Sequence, residues 1–126
     1  MIAKFLALVF FAAQAPAQPA PQDAPAADAL SPLPADQQGA IRCSAAFALV
    51  AERQRQGDEA ALVYPPVAER GREFFVRTGA RLMDETGMTR EAVEARLRAQ
   101  AGVILAEGSL DEIMPACLML LDASGL

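Results

Sequence analysis

An all-α domain of four to five short helices, closed by one long-range disulfide, is what the sequence predicts for residues 36–126. Three observations carry that expectation. Between Ala40 and Leu121 the apolar residues recur at helical spacing, and no alternating stretch of the kind a strand needs interrupts them. Capping residues and glycine stops divide this region into helix-length pieces. Finally, the two cysteines, Cys43 and Cys117, lie in the first and last of those pieces.

Two segments precede the domain. Residues 1–17, MIAKFLALVFFAAQAPA, read as a secretory signal peptide: Lys4, an apolar core from Phe5 to Ala13, then small residues around Ala15 and Ala17. That core is shorter than the about 20 apolar residues a membrane span takes. Residues 18–35 form a Pro/Ala-rich spacer with almost nothing to bury, expected to be disordered and partly polyproline II.

The first helix is expected from Asp36, as its cap, to Gln56, with Gly57 as its stop. Cys43, Phe47, Val50 and Gln54 follow at i, i+4, i+7 and i+11, an apolar stripe that turns polar at its end. A short turn from Asp58 to Leu62 follows, and Tyr64-Pro65-Pro66 ends it, because a residue before proline avoids the helical region. The second long helix, Pro66 to Glu85, carries Val67, Gly71, Phe74, Phe75, Thr78 and Leu82 on one side. Glycine in a helix costs about 1 kcal/mol relative to alanine, so Gly71 and Gly79 signal a close neighbour.

Thr89 caps the third helix, whose buried stripe is Val93, Leu97, Gln100 with Ala101, and Ile104, and Gly108 closes it. Ser109 and Glu112 have the spacing of a capping box for a last helix, which Pro115 must kink or restart. From Ala116 to Leu121 nearly every residue is apolar, which predicts burial all round.

Composition excludes several kinds of chemistry. The chain has no histidine, which removes serine–histidine, cysteine–histidine and histidine–zinc sites. A formal charge of −5 argues against nucleic acid or an anionic membrane as a partner. Glycine-rich phosphate loops, EF-hand loops and nucleophile elbows are absent. No cofactor and no metal site is expected, and carboxylates remain as the conventional acid/base groups.

An even cysteine count without CxxC spacing, behind a signal peptide, points to a structural disulfide between Cys43 and Cys117. Two reduced buried thiols and a redox-active pair are the competing readings, the latter drawing only on Arg42 beside Cys43. The expected compartment is the periplasm or the extracellular space.

Among surface residues, Arg70, Arg77 and Arg81 lie near one line of the second long helix, suited to an acidic partner. Against this, Glu73 with Arg77 and Arg81 with Glu85 are i,i+4 pairs that neutralise the same face. Tyr64, the single tyrosine, stands at a rigid corner that serves either as a recognition edge or as a lid on the core.

The signal, the helices and the single long-range cystine over residues 36–126 resemble small periplasmic helical proteins, a group that includes acid-stress chaperones and immunity proteins against secreted toxins. The likeness is one of architecture. It implies a protein partner and, for a chaperone, apolar surface exposed as carboxylates protonate, in keeping with Met114 and Met119 near the end of the chain. The expected function is therefore protein binding without catalysis. The alternatives are a carrier of a small apolar ligand between the second and last helices and a carboxylate-only enzyme.

Overall fold

The computed structural model describes residues 32–126, and within them the chain is all helical. The helices are α1 (Ala35–Arg55), α2 (Glu59–Leu62), α3 (Ala68–Thr86), α4 (Arg90–Glu107) and α5 (Leu110–Ala123). The segment read as a signal peptide, residues 1–17, and most of the segment read as a spacer lie outside the described residues.

The organising element is α1, which packs against each of the other four helices, most extensively α3 and then α4. Its burial is accordingly wider than one stripe: Cys43, Ser44, Ala45, Ala46 and Phe47 are all buried in succession. Small side chains at Ala45 and Ala46, both 0% exposed, let neighbouring helices approach from two sides. The Ser44 hydroxyl is satisfied within the helix, donating to the Ala40 carbonyl at 2.8 Å.

Phe47 is the centre of the larger core. Its ring meets Phe74 of α3 edge-on, centroids 5.5 Å apart and planes at 88°. Val50, Val67, Ile104, Met114 and Leu121 complete the same cluster. A smaller one, Ile41, Leu82, Met88, Ala92 and Val93, fills the other end of α1 where α3 turns into α4. The α3 stripe is buried as its spacing predicts, except that Phe75 is only half-buried.

Cys43 and Cys117 are joined, with sulfurs 2.13 Å apart and Cα atoms 5.1 Å apart, so α1 is tied to α5. This decides against the reduced-thiol reading, since neither cysteine is free.

Four local expectations are corrected. Helix α1 starts at Ala35 after Pro34, and Asp36 lies in its first turn, not at its cap. The second long helix starts at Ala68, two residues later than Pro66. The capping box at Ser109 does not form. Gly108 (φ 64°) closes α4 in a Schellman arrangement, with the Ser109 N–H donating to Ile104 O at 3.2 Å, and leaves Ser109 at ψ 5° instead of extended. Helix α5 runs unbroken through Pro115, which is exposed and removes only one backbone donor.

A fifth correction bears most on function. Burial of α5 is one-sided: Leu110, Met114, Cys117 and Leu121 face the core, whereas Met119 is 73% exposed and Leu120 39%. The core offers α5 one wall, and nothing in the described residues covers its far side.

Candidate partner-binding face

The tyrosine and the three arginines singled out from sequence all make contacts within the molecule. The Tyr64 hydroxyl donates to Asp111 Oδ1 at 2.7 Å, tying the proline corner to the start of α5. That hydrogen bond, then partial burial and the carboxylate's charge, raises the phenol above its ordinary value of 10.0. The same corner is anchored by Gln54 at the polar end of the α1 stripe. Its Nε2 donates to the carbonyls of Ala61, Tyr64 and Pro65 at 3.0–3.2 Å, and its Oε1 accepts from Val67 N at 3.3 Å. A polar residue closing an apolar stripe is the signal that marks such an anchor in sequence.

Arg70 and Arg77 reach the C-terminal end of α5, whose last turn has no basic residue of its own. Arg70 Nη2 donates to Asp122 Oδ1 at 2.7 Å and to Leu126 O at 2.6 Å, while Arg77 Nη1 lies 3.5 Å from Ser124 O. Cations supplied by α3 thereby stand against the negative end of the α5 dipole. Arg81 bonds Glu85 at 2.8 Å and Asp36 at 3.2 Å, joining α3 to the start of α1. Of the pairings read from sequence on this helix, Arg81 with Glu85 forms as spaced. Arg77 turns instead towards α5, because that helix end lies within its reach.

Arg77 and Arg81 rim a groove of about 300 Å³ between α1, α3 and α5, floored by Ala40, Phe74, Thr78, Leu120 and Ala123. Next to it runs the outer side of α5, where Ala116, Met119 and Ala123 are exposed in helical register. Met119 stands in a run, Ala116 to Leu121, whose composition predicts burial all round, yet it is exposed. The signal available against that reading was Glu112, in register with Ala116 and Ala123.

Compared with protein-family models, curated proteins and solved structures, the chain matches none. The functional reading therefore rests on this surface.

Other grooves lie elsewhere on the described residues, two of which touch residues singled out above or the smaller core. One of about 250 Å³ separates α3 from α4 and is lined by Phe75, Val76, Ala80, Met83 and Val93, with Arg90 and Glu94 at its edge. The other, about 290 Å³ and polar, is lined by Gln38, Arg42 and Gln100. Arg42, adjacent to Cys43 in sequence, thus contributes to a polar groove. Among the described residues no set of three or more cysteine and carboxylate groups is placed to hold a metal ion, and no helix is long and apolar enough to cross a membrane.

The carboxylates with a resolved shift are both lowered. Glu52 is held down first by the Arg55 hydrogen bond and then by Gln56, and Glu85 first by Arg81 and then by Gln37. A general acid near neutrality needs the opposite displacement.

Proposed function

We propose that this is an exported protein, periplasmic or secreted, that acts by binding another protein and not by catalysis. The observation that carries the reading is the exposed apolar side of α5. The core covers one side of α5, and on the other Met119 stands in water between the small residues Ala116 and Ala123. Met119, unbranched and 73% exposed, is suited to fitting an irregular partner surface. The compartment is supported by the disulfide, which persists in oxidising surroundings, together with the signal-like leader.

The test is a photo-cross-linking residue placed at Met119 of the full chain in an exporting bacterium, with one at Arg98 on α4 as control. An adduct specific to position 119 is the expected result. Equal or absent adducts at both positions reject the reading.

One observation favours a second reading, a carrier of a small apolar ligand. The groove floored by Phe74 and Leu120 lies between α3 and α5, at the lower end of the volume range of ligand sites. Native mass spectrometry of protein purified from its own host decides this: retained mass on the folded chain supports a carrier, and an empty chain in every preparation excludes it.

A further inference from the structure

We infer that the partner of the outer side of α5 is a second copy of this chain, packed antiparallel across a two-fold axis. The inference rests on the reading of that side as a protein-binding face and names its occupant. Its basis is the order of side chains along the helix. Glu112, Ala116, Met119 and Ala123 follow at i, i+4, i+7 and i+11, and all four are exposed. The stripe begins at a carboxylate, passes over alanine and methionine, and ends where Arg77 Nη1 stands 3.5 Å from Ser124 O. An acid at one end, a base at the other and an apolar middle form a surface complementary to itself after a half-turn, which is what an isologous interface requires.

Size fits as well as charge. With the axis between Ala116 and Met119, each methionine rests on the alanine of the other copy. Glu112 of each then faces Ala123 and Arg77 of the other. The neighbouring cation, Arg81, is already engaged with Asp36 and Glu85, whereas Arg77 makes only its main-chain contact among the described residues. A helix of this length spans about 21 Å, so the interface belongs to the small, weak class. At a rim of this kind the two Glu112–Arg77 pairs set the antiparallel register more than the affinity.

Sedimentation equilibrium of the full-length mature protein from about 5 µM to about 1 mM tests this, with circular dichroism and a free-thiol count confirming that each variant is folded and oxidised. The wild type should pass from monomer to dimer across that range. Met119→Glu should weaken dimerisation about tenfold or more, and Glu112→Arg or Arg77→Glu alone about threefold to tenfold. The double exchange Glu112→Arg with Arg77→Glu should return it to within about twofold of wild type. A wild type that stays monomeric at the highest concentration, or a double exchange no better than either single change, overturns the inference. The cross-linker at Met119 separates this failure from that of the broader reading. An adduct of two chains supports the dimer, an adduct with a different protein overturns the dimer and leaves the binding face standing, and no adduct rejects both.

Discussion

A Cβ atom on Gly71 of α3 would stand 2.8 Å from the Cβ of Phe47 in α1, closer than such atoms approach in folded proteins. The neighbour is the root of a buried side chain, so it cannot swing aside. Gly71→Ala gains about 1 kcal/mol of helix propensity and loses about 1–3 kcal/mol to overpacking. The net expectation is destabilisation by about 1 kcal/mol. Gly102 in α4 is exposed with nothing within 4 Å of its would-be Cβ, and Gly102→Ala should stabilise by up to about 1 kcal/mol. Urea unfolding midpoints at constant slope compare the two, and a shift of the same sign in both would rule out the close approach of α1 and α3.

Removing the covalent tie should cost far more. With Cys43 and Cys117 separated by 74 positions, the chain-entropy relation gives about 4.5 kcal/mol, a large fraction of the about 5–15 kcal/mol typical of a folded domain. The Cys43→Ala/Cys117→Ala variant is expected to unfold at a much lower urea concentration than the oxidised protein, and reduction of the wild type should act likewise. Two titratable thiols in native, unreduced protein would contradict the bond itself.

A single tyrosine and no tryptophan make one titration unusually clean. Because the Asp111 hydrogen bond raises the Tyr64 phenol, that bond stabilises the fold below pH 10.0 and is lost as pH climbs through the higher folded value. Ultraviolet absorbance of tyrosinate should therefore begin to rise at a higher pH in the native protein than in urea. Asp111→Asn should move the native curve back towards the denatured one. Superimposable native and denatured curves would show that the Tyr64–Asp111 link does not form in solution.

Acid should loosen the junction between α1 and α3. Glu85 has a folded value lowered from 4.5 by Arg81 and by Gln37, whose Nε2 donates to Glu85 Oε2 at 2.5 Å. A lowered carboxyl adds stability above its unfolded value and surrenders it as pH falls through the folded one, so the window opens near pH 4.5 and extends downward. The effect is modest at so exposed a site. The thermal midpoint should drop on going from pH 6 to pH 3, and Glu85→Gln should show a smaller drop at low ionic strength. An identical pH profile for the two proteins would remove Glu85 from the acid response.

The parts of this architecture most legible in the sequence are those governed by neighbours a few residues away. Thr89 accepts from Ala92 N at 3.1 Å and Asp58 from Ala60 N at 3.0 Å, as their positions ahead of helical runs imply. Gly57, Gly87 and Gly108 all take positive φ where a helix stops. The capping box expected at Ser109 fails for a reason equally local. The Schellman closure of α4 uses the Ser109 N–H before the next helix begins, and pattern matching on Ser109 and Glu112 cannot see that prior claim.

The candidate site was legible only in pieces. Tyr64, Arg70, Arg77 and Arg81 are identifiable as one exposed face of a helix and its entry corner. Their occupation by Asp111, Asp122, Ser124 and Asp36 depends on where α5 and the start of α1 come to rest.

By itself the sequence determined the helices and their stops, because periodicity and capping are properties of the chain alone. Only the tertiary structure decided which side of an all-apolar helix stays in water. The walls available to α5 are supplied by α1 and α3, residues far away in sequence, and they cover Met114, Cys117 and Leu121 while leaving Met119 outside. Hydrophobicity says that a side chain favours burial, and the geometry of the neighbours says whether there is anything to bury it against.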